Sequence, residues 1–344
     1  MKVTIHDVAK RADVSIKTVS RVINNEPSVR TATQKKVLEA VAALNYRPNA
    51  AARNLASTRS YAIAYIYDNP NAYYVIDMQN GILSASKEQG YELLIHPCNA
   101  KAADICDEIK QVVERTRVAG VVLTPPFSEM PEVIKTLQRL NVQFVRILSG
   151  GESAKRDPLS IFINDHQAAY GLTQHLIDLG HREIAFLCGA REHHSSTERL
   201  QGYQAALKDN KIKINKKFVL EGEYSFESGV KGAKRLMGRD MRPTAILASN
   251  DEIAAGALFA SQLMGIAVPD EVSIAGFEDS PFSRQTWPRL TTAHQSNRDI
   301  AEYATTLLLG SIRQKSGSVK RDPSKNIFNP ELVIRESTGA APKN

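Results

Sequence analysis

TIHDVAKRADVSIKTVSRVIN, residues 4–24, is the stretch from which the rest of the chain is read. Thr4 stands where it can cap a short helix whose inward residues Ile5, Val8 and Ala9 keep the three-and-four spacing of an apolar face. Asp13 and Val14 supply a turn. Ser15 then caps a second helix that sends Val19, Val22 and Ile23 inward and leaves Ile16, Lys17, Ser20 and Arg21 on a polar, basic side. Two brief helices joined by a tight turn suit the major groove of DNA, where the second helix presents its first residues to base edges. A third helix is expected from Thr33 to Asn45, with Val37, Leu38, Val41 and Leu44 closing a small core and Pro48 ending it. NAAARNLAS, residues 49–57, has an asparagine cap and high helix propensity. It falls short of the roughly 12 to 15 residues an isolated helix needs in water, so it is read as a helix that forms only when docked, with a flexible linker as the alternative.

Charge supports a nucleic-acid role for this segment. Residues 1–60 hold eleven Lys and Arg against four Asp and Glu, a surplus of seven that equals the +7 of the whole 344-residue chain. The basic excess is therefore confined to one end, as an electrostatic footprint would be. Cys98, Cys106 and Cys188 are scattered, without the CxxC pairs of a zinc site or the even count of a disulfide framework, and are read as buried thiols in a reducing compartment. No metal or cofactor is expected from them. With neither a leader-like apolar run nor a stretch of about eighteen apolar residues, the expected location is the cytoplasm, with no membrane partner.

From Ser60 onward short apolar runs alternate with amphipathic stretches of helical length. YAIAYIY, YELLIH, AGVVL, VQFVRI, LSIFI, EIAFLCG, TAILASND and VSIAGF read as strands; Met78–Gln89, Pro131–Leu140, His166–Leu179 and Glu252–Met264 read as helices. Apolar strands alternating with helices imply parallel sheets covered on both faces, and the length suits two such units. Ligands of open sheets sit at the carboxyl ends of strands. Those positions hold Asn69, Tyr73, Tyr74, Pro125, Ser149, Arg191, His193, Ser195, Tyr224, Asn250, Asp251, Glu278 and Asp279. Aromatic rings beside planar hydrogen-bonding groups suit a sugar.

IHDVAKRADVSIKTVSRVIN followed by LNYRPNAAARNLA resembles the DNA-binding head and hinge of the LacI/GalR repressor family, without gaps over residues 3–58. The resemblance extends more loosely through INDHQAA, ERLQGYQAAL, PTAILASND, PDEVSIAGFED and PRLTTAHQ. It implies an α/β chain: an all-α helix-turn-helix head over 1–48, a hinge over 49–59, and a periplasmic-binding-protein-like sensor over 60–344 built from two doubly wound parallel subdomains. These subdomains would span about 60–160 with 293–322, and about 161–292 with 323–340, joined by three crossovers. Ile16, Lys17 and Arg21 would read bases; Thr4, Ser15, Thr18, Ser20, Asn24 and Thr33 would lie near phosphates; Leu55 would wedge into the minor groove beside Ala52 and Arg53, with Asn49 heading the hinge. Arg30 departs from the serine that usually begins the third helix. In the sensor, the resemblance makes Arg199 an effector-binding arginine, Asn250 a hydroxyl-binding amide and Tyr224 a stacking ring; Tyr73, Tyr74, Ser149, His193 and Ser195 join the expected effector set from their strand-end positions. Glu278 stands where most members carry aspartate, which leaves Asp279 as a rival, and Asn164 also replaces a common aspartate.

The function implied is a homodimeric transcriptional regulator, a repressor released from a palindromic operator by a sugar. The tail ELVIRESTGAAPKN lacks the leucine heptads of a tetramerising bundle. The helix at Met78–Gln89 and the segment Met264–Val268 are the candidate dimer surfaces by the same analogy. An enzyme using His193, His194, Glu278 and Asp279 is disfavoured, because no Walker A loop, GxSxG elbow or dinucleotide fingerprint occurs. A periplasmic sugar carrier would share the cleft but not the basic head.

Overall fold

The computed structural model describes residues 3–23, 29–46, 60–69, 71–150, 159–313 and 326–343, and the chain divides into two compact units at 61/62. The first unit holds helices α1 (Ile5–Ala12), α2 (Ile16–Ile23) and α3 (Thr31–Ala43). The Asp7 carboxylate accepts from Thr4 N–H and Oγ, both at 2.8 Å, which fixes the start of α1, and Asp13 closes it in the left-handed region at φ 52°. Ser15 Oγ accepts from Thr18 N–H at 3.1 Å and caps α2. Val8, Ala9, Ala12, Val19, Val22, Val37 and Ala40 form the core, with Ile5, Val14, Ile23, Val41 and Leu44 packed against it. Helix α3 begins two residues before the expected Thr33, with Arg30 at the cap position and no side-chain cap bond. Leu38, expected inside, is 56 % exposed. It sits one residue beyond the buried Val37, about 100° round the helix, and falls outside the face that Val37 and Ala40 bury.

The second unit contains two α/β lobes. In the first, six parallel strands stand in the order β11-β5-β4-β3-β1-β2: β1 (Ala62–Tyr67), β2 (Glu92–Pro97), β3 (Gly120–Leu123), β4 (Gln143–Ser149), β5 (Ser160–Ile163) and β11 (Ile327–Phe328). In the second, the order is β7-β6-β8-β9, from β6 (Ile184–Leu187), β7 (Val219–Leu220), β8 (Ala245–Ala248) and β9 (Ser273–Ala275). All eight apolar runs are strands. Every residue of β3, β5, β6, β8 and β9 is buried, as two-sided coverage requires.

The helices are α4 (Ala72–Glu88), α5 (Ile105–Thr116), α6 (Pro131–Arg139), α7 (Asp165–Asp178), α8 (His194–Asp209), α9 (Phe226–Met237), α10 (Asp251–Leu263), α11 (Pro281–Gln285) and α12 (Asn297–Arg313). Helix α12 packs along α4, so closely that a Cβ on Gly81 would run into the Arg298 carbonyl.

Three passages link the lobes: from β5 into α7, from β10 (Thr292–His294) into α12, and from β11 into β12 (Glu331–Val333), which pairs antiparallel with β10. The expected division at 160/161 cuts through β5, which pairs with β4 and so belongs to the first lobe, as does β11, expected in the second. Two-residue and three-residue strands carry too little pattern to be placed from sequence.

Candidate functional site

Two surfaces concentrate functional chemistry. On the helical unit, Thr4, Ser15, Ile16 and Lys17 are exposed at the start of α1 and α2, and Thr18, Ser20, Arg21 and Thr33 are half-buried beside them. Ile16 is 40 % exposed although apolar. That exposed part is available for contact, as a base-reading residue's must be. Asn24, Asn49, Ala52, Arg53 and Leu55 lie outside the described residues.

The second surface is a small cavity between the two lobes of the second unit, at the carboxyl ends of their strands. Tyr74, Ser149, His193, Ser195, Arg199, Tyr224, Asn250 and Glu278 all line it. Tyr73 does not: its ring meets Phe282 edge-on at 5.7 Å, on the other side of the helix start that Tyr74 turns inward. Asn69 and Pro125 line the cavity as expected for strand-end residues, whereas Arg191 is outside, paired with Glu221.

Arg199 organises the floor. It is 4 % exposed, donates from Nε to Asp165 Oδ1 at 2.7 Å and from Nη1 to the Ser249 carbonyl at 2.6 Å, and lies 3.7 Å over the Phe277 ring. Burial works against its charge, but Asp165, Tyr224 and Glu278 outweigh it and hold the guanidinium above its usual range. Ser149 Oγ, from the opposite lobe, donates to the second Asp165 oxygen at 2.5 Å.

Glu278 sits at φ 103°, a region an L-residue rarely adopts. Its Oε2 accepts from Asn71 Nδ2 across the cleft at 2.7 Å, and Oε1 lies 4.0 Å from Arg199. Burial pushes its carboxyl up to about 8 against the pull of Arg199. Asp279 points away, bonded to Arg335 at 2.6 Å and Ser283 at 2.7 Å, which removes the rivalry in favour of Glu278 as the cavity residue. Asp251 is also structural: it accepts from Thr292 Oγ1 and Ser280 N–H, each at 2.7 Å. Asn164 caps α7 and donates to Asn329 at 2.9 Å, and its neighbour Asp165 faces the cavity instead.

Asn250 caps α10 by accepting from Ile253 N–H at 2.9 Å; its Nδ2 is buried without a partner, as is Oε1 of Gln295. Tyr224 lies flat on Gly189, where a Cβ would collide with the ring, and its hydroxyl bonds to Ser196 Oγ at 2.8 Å and Ser195 Oγ at 3.3 Å. His193 meets that ring edge-on at 5.5 Å, and burial lowers its imidazole pKa. These serines engage a phenol instead of a histidine, and His194 faces Glu198 at 3.3 Å. The cavity is thus a set of donors, acceptors and rings fixed for recognition.

Asn71, Asp165 and Gln295 were not singled out from the sequence. Asn71 and Asp165 read as ordinary helix-start residues, and Gln295 follows a three-residue strand; only the Asp in INDHQAA, directly after an apolar run, offered a signal.

Among the described residues no helix is long and apolar enough to cross a membrane. Residues 4–49 match the bacterial regulatory proteins of the lacI family, and residues 173–338 match the periplasmic binding protein-like domain. The chain is 32 % identical to catabolite control protein A of Priestia megaterium over 309 residues, covering 90 % of this chain and 92 % of that one. It is 33 % identical to the HTH-type transcriptional repressor PurR of Vibrio parahaemolyticus over 338 residues, 97 % of this chain and 98 % of that one. A solved lac repressor dimer bound to operator and the anti-inducer ONPF superimposes with a TM-score of 0.78 at 27 % identity, over 99 % of this chain and all of the other. A CelR–cellobiose complex does so with 0.70 at 25 % identity, over 98 % and 100 %. With a helix-turn-helix unit, a two-lobed sensor and relatives matched along nearly their whole length, the chain belongs to the LacI family of DNA-binding transcriptional regulators.

Proposed function

We propose that the protein is a homodimeric repressor that holds a palindromic operator through Ile16, Lys17, Arg21 and the hinge, and leaves it when a sugar fills the sensor cavity. The observation that carries the effector site is the pair of buried, unpartnered polar atoms, Asn250 Nδ2 and Gln295 Oε1, on the cavity wall. An unpaired buried donor or acceptor costs about 1–3 kcal/mol, a cost that a ligand relieves. A hydroxyl does so at either atom, because it donates and accepts. The carboxyl groups of Glu278 and Asp165 and the rings of Tyr74 and Tyr224 complete a lining suited to a polyhydroxylated ring. The CelR neighbour bound to cellobiose supports the same ligand class.

For the dimer, Ile76 and Leu83 on α4 are 50 % and 48 % exposed, and Phe259, Leu263 and Met264 on and after α10 are 44 %, 61 % and 40 % exposed. Ile76 and Leu83 are seven residues apart and share one face of α4. Apolar side chains repeated on one face mark an interaction surface, and a second copy is the occupant proposed. The wedge role of Leu55 and the cytoplasmic location belong to the same reading.

Calorimetric titration of the full chain with a panel of monosaccharides and disaccharides tests the effector class. Binding of at least one sugar at sub-millimolar concentration is expected. Binding of planar nitrogen bases with no sugar binding would replace the sugar by a base and keep the site.

A further inference from the structure

Outside the cavity, one group of three metal-ligating side chains stands together among the described residues: His96, Cys98 and Glu108, whose ligand atoms all lie within 4.8 Å of one another. His96 and Cys98 are two residues apart at the carboxyl end of β2, so both side chains leave the same face. Glu108 comes from the first turn of α5, and its Oε1 stands 3.0 Å from His96 Nε2. We propose that these three side chains form a site for one divalent cation of the zinc class, with a fourth position open to water.

The donor set is one imidazole nitrogen, one thiolate and one carboxylate oxygen, the mixture zinc accepts. Bonds of about 2.0–2.3 Å in a tetrahedron place ligand atoms roughly 3.4–3.6 Å apart, so the trio needs only rotamer adjustments to close on an ion. The side chains of His96 and Glu108 are 24 % and 39 % exposed and Cys98 is half-buried, which leaves an entry path from solvent. The Glu108 carboxyl group faces the imidazole and the thiol together. Binding one divalent ion converts the thiol to thiolate and releases its proton to solvent.

The position gives the site a regulatory consequence. The loop between β2 and α5 carries Lys101, whose Nζ pairs with Glu192 of the other lobe at 2.6 Å. An ion tying the end of β2 to the start of α5 stiffens the segment from which that pair reaches across the mouth of the cleft. The paired CxxC pattern sought in the sequence would not reveal such a site, because its third ligand is a carboxylate from the following helix.

Untagged full-length protein titrated with Co²⁺ tests the proposal. One equivalent is expected to bind at micromolar concentration with thiolate-to-cobalt charge-transfer absorption in the near ultraviolet, which Zn²⁺ then abolishes. Cys98→Ser should lose the band, and His96→Ala and Glu108→Gln should weaken binding at least tenfold, while Cys106→Ser and Cys188→Ser keep it. Circular dichroism and operator binding confirm that each variant is folded. The absence of stoichiometric Co²⁺ and Zn²⁺ binding to folded wild type, or a band that survives Cys98→Ser, would overturn it.

Discussion

Replacing Asn250 separates the two jobs its side chain holds. Its Oδ1 caps α10, and its Nδ2 is a buried donor on the cavity wall with no protein partner. Asn250→Ser keeps a good cap and deletes the donor; Asn250→Ala deletes both. Loss of a helix cap costs about 0.5–2 kcal/mol, so denaturant unfolding should place the alanine variant about 1 kcal/mol below the serine variant. The effector should weaken equally in the two, by one hydrogen bond of about 0.5–1.5 kcal/mol, or roughly 2- to 13-fold in Kd. Calorimetry with whichever sugar binds wild type reads this directly. If Asn250→Ser binds that sugar with wild-type affinity, the donor is not used, and the assignment of this wall to the effector is refuted.

Arg199→Ala should fail differently, because it strands Asp165, itself 1 % exposed, without its cation: a loss of about 3–5 kcal/mol of stability is expected, visible as a lower denaturation midpoint. Glu278→Gln should flatten the pH dependence of stability. Its carboxyl, raised by burial to about 8, keeps a proton in the folded state that the unfolded chain has released, so wild type should lose stability as pH rises from about 4.5 to 8 and the variant should lose less. Asp251, raised by burial to about 7, leaves a residual slope in both proteins. Leu55→Ala should lower operator affinity at least tenfold while leaving random-sequence affinity nearly unchanged, as removal of a kink-stabilising wedge requires; equal losses in a gel-shift assay would count against the wedge. Ile76→Asp with Leu83→Asp should yield monomers by sedimentation at micromolar protein, and an unchanged dimer would move the interface elsewhere.

Much of this architecture was legible from local patterns. Two-sided burial writes a strand as a continuous apolar run, so the eight long runs announced themselves, and the strand-end rule led to most of the cavity wall. Where the reading faltered, neighbouring residues had equal claims. Tyr73 and Tyr74 are chemically alike and adjacent at the helix start, where Asn71 accepts from the backbone N–H of both at 3.1 and 3.2 Å, so the local sequence holds no sign of which one turns inward. Glu278 and Asp279 are likewise two carboxylates in one turn; the pull of Arg335 on Asp279, 56 residues away in sequence, decides between them. Asp165 carries no such mark in the sequence, because an acid in the first turn of a helix has a sufficient local reason to be there. Lobe boundaries failed at β11 because a two-residue strand has no period to read.

Filling the cleft should change DNA affinity, and fluorescence anisotropy of an operator selected from random palindromes, titrated with full-length protein at several sugar concentrations, reads that coupling. Sugar is expected to weaken operator binding, operator to weaken sugar binding by the same factor as linkage requires, and Asn250→Ser to shift the sugar concentration needed without changing operator affinity in its absence. An operator isotherm unmoved by a sugar that calorimetry shows to be bound would contradict it.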